Sequence, residues 1–299
     1  MPRLFYCDHH RIPLPPGHKF PIQKYALLRS LLEADGVYRL EPAPFAEPAV
    51  IEQAHDPNYV RAILDGSVDP RVMRRIGFPW SEGLVRRTLA SVGGTLLATA
   101  DALATGFGGN LAGGTHHAFY GEGAGFCVFN DFAVAIRSTG RRAAVLDLDV
   151  HQGDGTAAIF AGAADVLTVS LHGENNFPFR KRQSAIDVAL PDGTGDDEYL
   201  ARLTGVLPAI VEFRPEILFY QSGVDGLAGD RLGRLSLSHA GLIERDRTVF
   251  GFARKQGCPV VVTLGGGYAS AIENTALAHA NTFRTLWQVL QPFYRPQRP

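Results

Sequence analysis

Asp147, Asp149 and His151 alternate along one short stretch of the chain. In an extended segment alternate side chains share a face, so all three project the same way, at a spacing that suits a divalent cation. An isolated Asp-x-Asp-x-His can also be a hydrogen-bonded strand end. Here, however, the pattern runs out of an apolar strand. Burying two carboxylates with no Lys or Arg close by is costly, and a bound cation is the simplest compensation. His116 and His117 follow Gly113-Gly114-Thr115, a glycine turn that presents both rings from a tight position. Adjacent histidines alone mean little: His9 and His10 lack the glycine frame and read as an incidental pair. His55, His239 and His279 read as structural or solvent-facing.

Such groups need rigid elements to hold them. Four short apolar runs, Ala143 to Leu148, Val166 to Leu171, Ile217 to Gln221 and Pro259 to Leu264, read as internal strands covered on both faces. Helical patterns over Asp197 to Phe213, His239 to Lys255 and Tyr268 to Leu290 alternate with them, as in a mostly parallel α/β sheet. In the first half, Gln23 to Ala34 reads as a helix. Ser81 to Thr105 reads as a longer one, with Ser81 as N-cap and Val85, Leu89, Val92, Leu96 and Leu103 as its core face. The glycine clusters at 108–109, 113–114, 121–125 and 265–267 read as turns. Ligands of such sheets bind at the carboxyl ends of the strands. Each run delivers polar residues there: Asp147 to His151, Ser170 to His172, Ser222 to Asp225, and Gly265 to Tyr268.

At 299 residues the chain fits one large α/β domain spanning 1–299, with helices on both faces of the sheet and the site at its carboxyl edge. Lys and Arg number 29 against 30 Asp and Glu, which gives no long-range attraction to nucleic acid or an anionic membrane. No apolar run reaches membrane-span length. Cys7, Cys127 and Cys258 are odd in number, far apart and without CxxC spacing, which argues against a disulfide framework or thiolate site and fits a reducing cytoplasm. A Pro-rich tail begins at Pro292.

Gly-Gly-Thr-His-His at 113–117, Gly-Phe-Cys-Val-Phe-Asn-Asp at 125–131, Asp-Leu-Asp-Val-His-Gln-Gly-Asp-Gly-Thr at 147–156 and Gly-Gly-Gly-Tyr at 265–268 together resemble the zinc-dependent histone deacetylase superfamily of the arginase/deacetylase fold. The likeness runs from about His18 to the last helix. Gln152 and the segment 170–179 are similar to its bacterial and class IV branch.

The resemblance implies that Asp149, His151 and Asp225 hold one zinc, with iron(II) able to take its place. It makes His117 the general base and acid, His116 its electrostatic partner and Tyr268 the donor to the substrate carbonyl, with Asp147 and Asp154 orienting the two rings. It also implies a structural potassium at Asp147, Asp149, His151, Ser170 and Leu171, and a substrate tunnel at Gly125, Phe126, Phe177 and Leu232. The substrate would be an acyl-lysine protein or peptide, or a small acylated amine such as an acetylated polyamine. The chain departs from the family at the rim: residues 76–80 carry no carboxylate where many members grip the substrate backbone, and Leu232 stands where polyamine-selective relatives have an acid. Arg180-Lys181-Arg182 reads as a solvated basic patch near the rim. Two other readings are a two-manganese ureohydrolase of arginase type, for which no Asp stands two residues from Asp225, and an inactive acyl-lysine binding module.

Overall fold

A computed structural model describes residues 1–293. The four apolar runs form the strands β4 (Ala143–Asp147), β5 (Val166–Gly173), β7 (Ile217–Gln221) and β8 (Val260–Thr263). Four more complete the sheet: β1 (Arg3–Tyr6), β2 (Arg39–Pro42), β3 (Phe107–Asn110) and β6 (Ile186–Leu190). All pair in parallel, in the order β2-β1-β3-β8-β7-β4-β5-β6.

Because strand side chains alternate in direction, the sheet feeds two cores. Val145, Phe219 and Val261 face one, while Leu146, Tyr220 and Val262 face the other. The first is covered by α2 (Pro48–Ile51), α3 (Pro57–Asp65), α4 (Pro70–Ile76), α5 (Glu82–Thr105), α6 (Asp131–Thr139) and α7 (Asp154–Ile159). The second is covered by α1 (Gln23–Asp35), α8 (Asp196–Phe213), α9 (His239–Gln256) and α10 (Ile272–Leu290). The doubly covered α/β architecture is therefore the one expected.

Three local expectations need correction. Gly108 and Gly109 are strand residues, not a turn. A Cβ on Gly108 would stand 1.9 Å from the Ala98 carbonyl oxygen, so Gly108 lets α5 lie against β3, while one on Gly109 would meet Leu4 and Phe283. Helix α5 does begin after the N-cap Ser81, whose side chain accepts from Leu84 N–H. Its most buried face, however, carries Ala90, Gly94, Ala98 and Ala102, and of the expected apolar stripe Val92 alone is fully buried. Small residues pack against the sheet, and the leucines spread along the helix flanks. Finally, the last helix starts at Ile272, so Tyr268 stands in the loop before it. From residue 294 the expected Pro-rich tail lies outside the described residues.

Behind the carboxyl end of β7 lies a buried polar network. Arg245 and Asp246 pair at 2.8 Å, Arg245 Nη1 donates to the Gly223 carbonyl, and Asp246 accepts from the Tyr220 hydroxyl and, at 2.7 Å, from Thr282 Oγ1. Burial opposes the charge on Arg245, but Asp246 keeps its pKa raised. The network ties α9 and α10 to the loop after β7. Thr282→Val keeps the shape and removes one donor to a buried carboxylate, so the chain should lose about 1.5–3 kcal/mol of stability by denaturant titration. An unchanged midpoint would show that Asp246 finds another partner.

Candidate active site

The carboxyl ends of β3, β8, β7, β4 and β5 converge on one edge of the sheet, where a cavity of about 390 Å³ opens. Loops from β4 and β7 bring Asp149, His151 and Asp225 together, with one ligand atom from each lying within 4.8 Å of the others. All three are buried. His151 Nδ1 stands 3.0 Å from a carboxylate oxygen of Asp149 and 3.0 Å from one of Asp225. Burial acts against a charged ring, yet these two carboxylates hold the His151 pKa up to about 10. Burial, with Asp149 close by, raises the carboxyl of Asp225. Two carboxylates and an imidazole, buried and open on one side, suit a divalent cation with room for water and substrate. Gly265 and Gly266 make room for them: a Cβ on Gly266 would fall 1.7 Å from Asp225 Oδ2.

The tandem histidines stand beside this group, their rings 4.0 Å apart. His116 Nδ1 meets Asp147 Oδ2 at 2.7 Å and His117 Nδ1 meets Asp154 Oδ1 at 2.6 Å. The rings are tuned in opposite directions. Burial opposes protonation of His116, but Asp147 and Asp149 raise its pKa to about 9. Burial, reinforced by the charge of His116, lowers that of His117 to about 4 even though Asp154 pulls upward. At neutral pH His117 is therefore an uncharged ring with Nε2 free to accept a proton.

Tyr268 is 8% exposed and lines the same cavity. Burial, then Asp225 and Asp149, raises its pKa well above the ordinary value, so its hydroxyl stays a donor. Gly125, Phe126, Phe177 and Leu232 form the walls. The Phe177 ring meets His117 edge-on at 4.9 Å, and Phe126 stands 6.3 Å from Tyr268. Phe126 has φ 67, costly for a bulky residue, and its backbone is fixed by the bond from its N–H to the Ile76 carbonyl at 2.7 Å. Asp147 and Ser170 are register partners on β4 and β5, followed by buried Leu171. Lys181 donates to the Pro178 carbonyl at 2.8 Å, so it is anchored beneath the rim loop and not merely solvated. The His9 and His10 rings lie 4.0 Å apart, tilted by 43°, far along the chain from this group, and His55 and His279 are fully buried.

Three residues escaped sequence reasoning. Asp131 is fully buried and accepts from Thr95 Oγ1 at 2.7 Å, Thr115 N–H at 2.8 Å and Gly114 N–H at 3.1 Å. It clamps the turn that delivers His116 and His117. Asp230 accepts from Tyr268 N–H at 2.5 Å and Leu232 N–H at 2.8 Å, thereby fixing two walls at once. Lys24, buried on α1, donates to the Gly265 carbonyl at 2.9 Å, and burial lowers its pKa to about 8 against the pull of Asp225 and Asp149. The Phe-Asn-Asp run could have flagged Asp131. Nothing in the helical pattern of α1 marks Lys24.

Asp131→Asn would point an NH₂ group or a weaker acceptor at two backbone donors. It should cost about 1–3 kcal/mol of stability. It should also lower kcat more than it raises KM, since a small misplacement of a catalytic group can cost about 100-fold. Calorimetry and steady-state kinetics together test this. A folded variant with unchanged kcat would show that the turn keeps its geometry without the carboxylate.

Comparison with known proteins follows the same lines. An uncharacterized protein of Picosynechococcus sp. is 44% identical over 288 residues, covering 93% of this chain and 95% of that one. Histone deacetylase 2 of Arabidopsis thaliana is 32% identical over 86% of this chain and 73% of its own length. A histone deacetylase-like amidohydrolase of Pseudomonas aeruginosa is 31% identical over 87% of this chain and 74% of its own. The crystal structure of an acetylpolyamine aminohydrolase from Burkholderia pseudomallei superposes with a TM-score of 0.77 at 21% identity, covering 96% of this chain and 99% of that one, which is a likeness of fold. The model of the histone deacetylase domain matches residues 18–285. With nine-tenths of the chain inside that match, it belongs to the histone deacetylase family, hydrolases of linear amides.

Proposed function

We propose that the chain is a zinc-dependent deacylase that removes acetyl or longer acyl groups from lysine side chains of a protein or peptide. The observation that carries this reading is the opposite tuning of two adjacent histidines beside a buried Asp-His-Asp group at the floor of a phenylalanine-walled cavity. Asp149, His151 and Asp225 would hold the metal, zinc or iron(II). When bound, it supplies a Lewis acid that polarises the amide carbonyl and lowers the pKa of water toward about 7.

The chain's own residues do the rest. Asp154 fixes the His117 tautomer, leaving Nε2 to take a proton from water as the oxygen adds to the carbonyl carbon. Tyr268 donates to the carbonyl oxygen as negative charge grows on it. His116, held charged by Asp147, offsets that charge. His117 then returns its proton to the amine nitrogen as the C–N bond breaks, giving a carboxylic acid and a free amine, which become carboxylate and ammonium as the acid's proton passes to the amine. Phe126 and Phe177 flank the acyl-amine stem and exclude water. Asp147 and Ser170, with main-chain oxygens of Asp149, His151 and Leu171, would hold a potassium ion; the shared register of β4 and β5 supports this.

A small acylated amine such as an acetylated polyamine is the second reading, favoured by the likeness of fold to the Burkholderia pseudomallei acetylpolyamine aminohydrolase. Zinc-loaded protein assayed on acetyl- to myristoyl-lysine peptides and on acetylated polyamines separates the two. The first reading expects higher kcat/KM on acyl-lysine, and preference for the polyamines overturns it.

A further inference from the structure

The cavity mouth has a charge pattern that the deacylase reading does not use. Two arginines, Arg75 and Arg234, line it. Arg75 precedes Ile76 and its carbonyl accepts from Gly125 N–H at 3.0 Å, next to Phe126, and Arg234 stands two residues after Leu232. Their side chains are about half exposed, at 53% and 54%. Each guanidinium is paired with one carboxylate, Arg75 with Glu122 and Arg234 with Asp192 at 3.1 Å. Neither Glu122 nor Asp192 lines the cavity, so each pair turns its positive end inward. Exposed pairs of this kind are weak, and their guanidinium donors exchange readily. Phe179, 85% exposed, lines the same cavity, and Lys181 donates to the Pro178 carbonyl of its loop. Among the described lining residues Asp149 is the one carboxylate, and it belongs to the floor.

A low-dielectric cleft lined by one sign of charge concentrates ligands of the opposite sign. A substrate whose stem reaches His117 shares the cavity with Arg75 and Arg234. A second ammonium group there would meet two guanidinium groups whose carboxylate partners, Glu122 and Asp192, are not among the lining residues. A carboxylate would meet planar, fork-shaped donors that suit it. Resting on the deacylase reading, we infer that Arg75 and Arg234 set specificity for acylated amines that carry a carboxylate close to the acylated side chain. That carboxylate is either an acidic residue flanking an acyl-lysine or the α-carboxylate of free acyl-lysine.

The test uses the full-length, zinc-loaded protein and acetyl-lysine peptides flanked by Asp, Gln or Lys, with free acetyl-lysine and its α-amide as a second arm. The expected order of kcat/KM is Asp above Gln above Lys, with at least about a 10-fold spread carried by KM. The spread should shrink at about 0.5 M salt and vanish in the Arg75→Gln/Arg234→Gln double variant. Preference for free acetyl-lysine over its amide identifies the α-carboxylate as the source, and preference for the Asp-flanked peptide identifies the acidic flank. The same peptides are also titrated against His117→Ala by fluorescence anisotropy, which reads the order without turnover. Absence of turnover in the wild type would count against the deacylase reading, whereas the binding order still decides this inference. Equal binding of all three peptides, tighter binding of the Lys-flanked one, or an order that survives in the double variant would overturn it.

Discussion

Replacing His117 by alanine should lower kcat by about 10²- to 10⁴-fold, the usual worth of a positioned general acid and base. The expectation follows from how the ring is held. Its Nδ1 is committed to Asp154 at 2.6 Å, and burial and the His116 charge lower its pKa to about 4, so near pH 7 it is neutral with one acceptor nitrogen facing the cavity. His116 cannot replace it, because Asp147 holds that ring protonated. His117 is not a member of the Asp149, His151 and Asp225 group, so metal content and fold should survive the change. Stopped assays, elemental analysis and circular dichroism on one preparation test the three parts. A metal-loaded, folded His117→Ala protein with near wild-type kcat would remove the ring from the mechanism.

Tyr268→Phe should lower kcat by about 10²- to 10³-fold with little change in melting temperature, the cost of one missing oxyanion donor. Negative charge grows on the carbonyl oxygen as water adds, and a donor aimed at that point is worth most in a buried site. Tyr268 meets both conditions: it is almost fully buried, and its pKa is driven upward, so the proton stays on the hydroxyl. Asp230 holds its backbone, so the phenylalanine ring should keep its place. A tyrosine that merely packs would show the converse, a lower melting temperature with kcat retained. Single-turnover rates distinguish the two by isolating the chemical step.

What the sequence made legible follows from where signals are strongest. The central strands β4, β5, β7 and β8 are covered on both faces and so read as continuous apolar runs, with ends correct to within two residues. Strand β3 is Phe-Gly-Gly-Asn, whose Gly108 serves contact with Ala98 and Gly109 contact with Leu4 and Phe283, and which gives no strand pattern. At the edges, β2 is a four-residue strand of mixed exposure and β6 alternates weakly within a polar stretch. The site residues were legible because they cluster just past the apolar runs or on a glycine turn. Asp230 and Lys24 were not, and Asp131 only through its Phe-Asn-Asp run, because each holds a backbone group elsewhere in the chain, Asp131 reaching Thr115 across 16 positions, Asp230 reaching Tyr268 across 38 and Lys24 reaching Gly265 across 241. A contact of that kind leaves no local spacing to read.

The account rests on Asp149, His151 and Asp225 forming one catalytic metal site. Its most direct test is elemental analysis of purified wild type and of Asp225→Ala, each dialysed and then reconstituted with zinc, alongside hydrolysis of an acetyl-lysine peptide. The account predicts one equivalent of divalent metal per wild-type chain, weaker binding as pH falls because the donors must shed protons, and loss of both metal and activity in Asp225→Ala with secondary structure retained. Two equivalents of manganese per chain, or full zinc occupancy and activity in the folded variant, would contradict it.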